Sequence, residues 1–244
     1  MSQVRSRDGT TIAYDRLGSG PPLILVDGAF CSRAFGPMPK LAPLLALNFT
    51  AFMYDRRGRG QSGDTPPYAV EREIDDLAAL VREAGGSVFV YGISSGAGPV
   101  RGPVHGRHAG PRASGEPPRA AGAAHRRERR GAAVRFYMKD IIGMPGWLVT
   151  VFRLLPMWSK LKAIAPTLAY DSAIMGDFAL PAKRAASLEI PTLVISGDKS
   201  FSVLREAAQE LAKVIPGAEL RTLPGQTHNV AAVLAPVLKE FFVP

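Results

Sequence analysis

The stretch Ser87-Val88-Phe89-Val90-Tyr91-Gly92-Ile93-Ser94-Ser95-Gly96 decides how this chain folds. Ser87–Tyr91 reads as a strand buried on both faces, and it runs directly into the pattern G-x-S-x-G. Those residue types suit a sharp turn from strand into helix. One glycine two positions before Ser94 and another two after it let neighbouring backbone come close without meeting a Cβ. The turn then holds Ser94 in a strained conformation with its hydroxyl above the strand end. The N–H of Ser95 points to where negative charge would develop on a substrate oxygen. Three fixed residues of common type carry little weight alone, and the competing reading is a plain serine in a glycine-rich turn. The buried strand ahead of it favours a nucleophile.

Outward from this turn, strand and helix signals alternate. Val4–Arg7 and Thr10–Arg16 flank Asp8-Gly9, a hairpin signal. Leu23–Val26 and Phe49–Tyr54 are buried-strand runs, with a helix expected around Pro39–Leu47. Apolar residues recur at helical spacing through Glu71–Ala84, and Gly85-Gly86 ends that helix. The last third repeats the rhythm with a strand at Thr192–Ser196, an amphipathic helix at Leu204–Val214, a strand at Ala218–Leu223 and a helix at Val230–Phe242. Alternation of this kind predicts an α/β fold, a mostly parallel sheet flanked by helices. Between the halves, Ala133–Ser187 reads as mainly helical, and its Phe136, Tyr137, Met138, Trp147, Phe152, Met157 and Trp158 read mostly as packing residues.

A chain of 244 residues with 46% hydrophobic residues suits one domain with a large core. The N-terminus lacks the apolar run of a secretory signal, no stretch reaches membrane-spanning length, and a single Cys31 excludes an internal disulfide. A cytoplasmic protein is the expectation. The net charge of +9 invites a nucleic-acid partner. Its distribution argues otherwise, because residues 99–130 hold eight Arg and two Glu, while the rest has 22 Lys and Arg against 19 Asp and Glu.

Tyr54-Asp55-Arg56-Arg57-Gly58-Arg59-Gly60-Gln61-Ser62-Gly63 follows the second buried strand. With the G-x-S-x-G turn, it resembles the α/β-hydrolase family, which often has D-x-R-G-x-G-x-S there. The resemblance implies scaffold roles for Arg57 and Ser62. Asp27-Gly28-Ala29-Phe30 is similar to the family's H-G-x loop, with Asp in place of His. It implies an oxyanion hole made by the backbone N–H groups of Ser95 and Ala29, with Phe30 the less favoured alternative. An unpaired Asp27 carboxylate would oppose an oxyanion. His228, in Gly225-Gln226-Thr227-His228-Asn229 between a strand and the final helix, occupies the place of the family's base. It is also the only histidine outside residues 99–130. Chain order puts the acid between Ser94 and His228. Asp198 fits that order, although the family's usual place, three residues after Gly197, holds Ser200. Pairing of Asp198 with Lys199 at the surface is the competing reading. Asp171 and Asp177 are weaker candidates, lying in the helical region.

The resemblance therefore divides the chain into a core of residues 1–98 and 188–244, a basic segment 99–132, and a small helical lid 133–187. It implies hydrolysis of a small ester, thioester or lactone through an acyl-Ser94 intermediate, without metal or organic cofactor. Carbon–carbon bond hydrolysis would use the same serine and histidine. A non-catalytic protein of this fold is the alternative from another class. Residues 99–130 do not fit the family. They contain no Leu, Ile, Phe, Met, Tyr or Trp, and five prolines, where the family has a core helix and a further strand. An out-of-frame reading of GC-rich coding DNA gives such a composition. A basic insertion that binds acidic partners or nucleic acid, and an unusual folded lid element, are the other readings. Loss of that helix and strand predicts that the chain as written is poorly soluble and nearly inactive.

Overall fold

The computed structural model describes residues 1–98, 123–176, 180–227 and 231–243. Its first strands, β1 (Ser2–Arg5) and β2 (Thr11–Leu17), form the antiparallel hairpin expected around Asp8-Gly9. Strand β3 (Pro22–Val26), helix α1 (Met38–Leu45), strand β4 (Thr50–Tyr54), helix α2 (Val70–Glu83) and strand β5 (Phe89–Gly92) follow. The five strands make one sheet in the order β1-β2-β4-β3-β5, with β3 parallel to both β4 and β5. Crossover helices explain the parallel pairs, since a parallel neighbour can be reached only by a long connection. The apolar runs are buried as read: Leu23, Ile24, Leu25 and Val26 are wholly inaccessible, as are Phe49 and Ala51.

Residues 123–176 are helical. Helix α3 (Ala123–Phe136) ends in a π-turn over Tyr137–Ile141, followed by α4 (Gly146–Phe152), α5 (Met157–Ile164) and α6 (Leu168–Met175). Tyr137, Met138, Val149, Leu161 and Leu168 bury their side chains together with Phe30, so this region packs on the loop after β3. Expectations placed on residues 99–122 lie outside the described residues. The last residues of the basic segment, from Ala123, begin α3; alanine and arginine are both good helix formers.

After the short helix α7 (Ala182–Ala185), strand β6 (Leu193–Gly197), helix α8 (Ser202–Val214) and strand β7 (Glu219–Leu223) complete a second, two-stranded parallel sheet. Helix α9 (Ala231–Phe242) joins the two sheets. Its Leu234 and Leu238 share one core cluster with Leu23 and Leu25 of β3, Leu41 and Leu45 of α1, and Leu223 of β7. Among the described residues β5 pairs only with β3, and all four of its residues are partly exposed. No described helix is long and apolar enough to cross a membrane.

Candidate active site

Strand β5 ends at Gly92, and Ser94 follows with φ +55, a left-handed conformation that a non-glycine residue rarely adopts. Such a backbone costs about 1–3 kcal/mol and persists only where the surroundings enforce it. Here they do. A Cβ on Gly96 would meet the carbonyls of Val26 and Asp27, the latter at 2.5 Å, and one on Gly92 would lie 2.8 Å from Ala97. The glycines of G-x-S-x-G thus let the turn press against β3. Ser94 is exposed at the sheet end, whereas Ser95 is buried.

The loop after β3 lies directly against this turn. A Cβ on Gly28 would be 3.0 Å from the Ser94 Cβ and 3.6 Å from its Oγ. The next peptide presents the Ala29 N–H, which has no hydrogen-bond acceptor among the described residues. Phe30 turns the chain with φ +61 and packs its ring edge-on to Tyr137 at 5.3 Å.

Asp27 is the unusual member of this loop. Its carboxyl is buried, and neither oxygen has a hydrogen-bond partner among the described residues. Burial pushes its pKa up to about 7, against the opposing pull of Arg59 and Arg56. The charge that would oppose an oxyanion is therefore largely suppressed below neutral pH.

Three buried arginines follow β4. Arg57 makes a two-pronged pair with Asp76, at 2.8 and 2.7 Å, and reaches Asp8 at 3.0 Å. The Ser62 hydroxyl donates to the Asp55 carbonyl at 2.6 Å and accepts from the Ala13 N–H at 2.9 Å. Both are scaffold contacts, as the resemblance implied. Sequence reasoning overlooked Arg56 and Arg59. Arg56 pairs with Glu73 through two bonds of 2.8 Å and with Asp171 at 2.7 Å. Arg59 donates to Asp171 at 2.6 Å, to the Gly28 carbonyl at 2.7 Å and to the Thr167 hydroxyl at 3.0 Å. One signal was available: Glu73 and Asp76 share helical spacing with Leu77 and Leu80, and carboxylates on a buried helix face call for internal cations.

Of the residues expected at the site, the structure brings Ser94, Ser95 and Ala29 together. Asp198 follows β6 on an exposed turn, its N–H bonded to the Leu223 carbonyl at 3.1 Å. Gly197 lies against the Gln226 backbone, so the turns after β6 and β7 are adjacent. His228 and Asp177 lie outside the described residues. Asp171 is occupied by Arg56, Arg59 and the Ser95 hydroxyl, which donates to it at 2.7 Å. Burial disfavours its charge, yet Arg59 and Arg56 outweigh burial and hold its pKa below the usual carboxylate range.

A sequence profile described as the Alpha/beta hydrolase family matches residues 23–237. An alpha/beta hydrolase from Sphaerobacter thermophilus DSM 20745 is 47% identical in sequence and superposes with a TM-score of 0.83, over 99% of this chain and 100% of that one. A hydrolase from Pseudomonas aeruginosa PA01 is 21% identical with a TM-score of 0.67, over 100% of this chain and 98% of that one. An enol-lactonase from Burkholderia xenovorans LB400 is 18% identical with a TM-score of 0.66, over the whole of both chains. At these last two identities the likeness is one of fold alone. No curated protein matches the sequence. With the family profile spanning residues 23–237 and a relative nearly half identical along its length, this chain belongs to the alpha/beta hydrolase family.

Proposed function

We propose that this hydrolase-family chain cleaves a small ester, thioester or lactone through an acyl intermediate on Ser94. The observation that carries the reading is the left-handed backbone at an exposed Ser94, at a sheet end, with the Gly28–Ala29 loop packed against it. In this reading the Ser94 Oγ attacks the substrate carbonyl carbon, and His228 takes the hydroxyl proton. The N–H groups of Ala29 and Ser95 stabilise the oxyanion. The intermediate collapses, and the leaving oxygen or sulfur takes the proton from His228. Water then repeats the sequence on the acyl-serine, releasing the acid and restoring the Ser94 hydroxyl. Asp198 is proposed to orient His228, on the adjacency of the turns after β6 and β7.

The helical region 133–187 is proposed as the lid. Ala29 and Phe30 pack with Tyr137, Met138 and Leu168 in one apolar cluster, which supports a substrate whose acyl or alcohol part is apolar. One observation favours a second, non-catalytic reading. The partly exposed β5, with a single partner among the described residues, gives the Ser94 turn little support on one side. Labelling with a fluorophosphonate separates the two. Covalent labelling of the full chain, abolished by Ser94→Ala and strongly slowed by His228→Ala, is the expected result. An unlabelled parent chain, or labelling that survives Ser94→Ala, refutes the acyl-serine reading.

A further inference from the structure

We infer that Asp171, on helix α6, is a positioning residue that aims both backbone donors of the oxyanion hole. The inference rests on the acyl-Ser94 reading above.

One carboxylate reaches both donor peptides in a single step each. On one side, Asp171 Oδ1 accepts from the Ser95 hydroxyl at 2.7 Å, which pins the residue whose N–H is the first donor. On the other, Asp171 Oδ2 accepts from Arg59 Nη2 at 2.6 Å, and Arg59 Nη1 donates to the Gly28 carbonyl at 2.7 Å. That carbonyl belongs to the same peptide unit as the Ala29 N–H. In a planar trans peptide the two point in opposite directions, so fixing the carbonyl on one side aims the N–H to the other. The guanidinium is rigid and planar, which transmits the position of Asp171 to the peptide with little slack.

The contacts lie in a dry setting, where they are strong. Asp171 is fully buried, and Ser95, Arg56 and Arg59 are at most 2% exposed. Charge accounting gives Asp171 a role that Glu73 does not cover. Glu73 takes two nitrogens of Arg56, while Asp171 supplies the carboxylate of Arg59 among the described residues. Ion pairing alone would explain the arginines. It would not require the hydroxyl of the residue beside Ser94 as a third partner, nor the carbonyl of the facing loop as a fourth. Helix α6 also packs on the turn through Ile174 against Gly98, so the carboxylate is carried by a backbone in contact with the site.

The test uses the full chain. Phosphonylation of Ser94 by a fluorophosphonate is resolved into kinact and KI, and hydrolysis of p-nitrophenyl acetate into kcat and KM. The parent, Asp171→Asn and Ser95→Ala are compared, with folding followed by circular dichroism. Asp171→Asn keeps the shape and an acceptor for the hydroxyl but removes the charge that holds Arg59. It is expected to lower kinact and kcat at least about tenfold, with KI and KM within about twofold, the signature of a group that acts in the transition state. Ser95→Ala cuts one link and leaves both ion pairs; a loss of about three- to tenfold in kcat is expected, with thermal stability lowered by the loss of one buried hydrogen bond. Lower thermal stability with parental kcat and kinact would mark a structural role only and overturn the inference. A change confined to KM and KI would do the same. If Asp171→Asn does not fold, Ser95→Ala decides, and parental kcat in that variant overturns the inference. A parent chain that neither labels nor hydrolyses refutes the acyl-Ser94 reading itself, and the positioning role falls with it.

Discussion

Replacing Asp27 by Asn should shift the chain's stability relative to the parent increasingly in favour of the variant as pH rises. The carboxyl is 2% exposed, has no hydrogen-bond partner on either oxygen among the described residues, and has its pKa pushed up from 3.8 to about 7. In the unfolded chain it ionises near 3.8. Between those values the folded state holds a proton that the unfolded state has released, so raising the pH favours unfolding. Stability from the neutral carboxyl is complete below pH 3.8 and is lost as pH rises through about 7. Each unit of pH in that window costs about 1.4 kcal/mol, so the loss from pH 5 to pH 8 is about 3 kcal/mol. That is a large share of the ~5–15 kcal/mol by which a domain of this kind is stable. An amide has nearly the same shape and does not titrate. Its unpaired donors add a constant penalty that cancels when two pH values are compared. Urea unfolding of parent and Asp27→Asn at half-unit intervals from pH 5 to 8.5 measures the difference directly, since every other titrating group is common to both. The difference should climb by about 1.4 kcal/mol per pH unit up to neutrality and then flatten. A difference constant within about 1 kcal/mol across the range would show that the carboxyl is ionised in the fold, and the reasoning would fail. The same substitution should also hold up the rate above pH 7, where the ionised parent sets a negative charge beside the Gly28–Ala29 donors.

Gly28→Ala should abolish esterase activity with little change in the far-ultraviolet circular dichroism spectrum. The new Cβ would lie 2.9 Å from the Ile93 carbonyl and 3.0 Å from the Ser94 Cβ, so the loop must move away from the serine. A displacement of about 1 Å at a reacting centre costs on the order of a hundredfold in rate. Arg57→Ala should lower stability by about 3–5 kcal/mol in urea unfolding, because it leaves the buried Asp76 carboxylate without its two-pronged partner. The kcat per folded molecule should stay at the parental value, since Arg57 touches neither the Ser94 turn nor the Gly28 loop.

What the sequence disclosed was what local physics encodes. Strands β3 and β4 are continuous apolar runs because they lie buried between sheet neighbours and helices. The Ser94 turn was legible because only glycine tolerates the carbonyls of Val26 and Asp27 at Gly96, so the constraint is written in the residue itself. The arginine network was not legible. Arg56 meets Asp171 across 115 positions of chain, and no periodicity spans that interval. The D-x-R-G-x-G-x-S resemblance drew attention to Arg57, whose partner Asp76 is 19 positions away, while Arg56 and Arg59, the two that reach across the site, stood at the motif's variable positions. Asp171 stood among the candidates for the acid because a carboxylate in the right chain order is all that sequence offers. Only geometry distinguishes one that orients an imidazole from one that holds two guanidiniums.

The placement of the reacting groups follows from the same division. Ser94, Gly28 and Ala29 lie in the turns that follow β5 and β3 of the five-stranded sheet, and they are held by close packing between those two turns and by the buried arginines. Asp198 belongs to the two-stranded sheet, whose described tie to the first runs through α9, with Leu234 and Leu238 packed among residues of β3, α1 and β7. Among the described residues, the two halves of the proposed catalytic set are therefore aligned by one apolar cluster rather than by hydrogen bonds across a shared sheet edge. Apolar packing is dense but has no direction of its own, whereas a ladder of backbone hydrogen bonds fixes register to within one residue. Among the described residues, the proposed nucleophile and oxyanion donors are thus held more tightly to each other than to Asp198, the proposed acid. In such an arrangement, the steps that need only Ser94 and its donors tolerate loosening of the sheet better than those that need the imidazole correctly oriented.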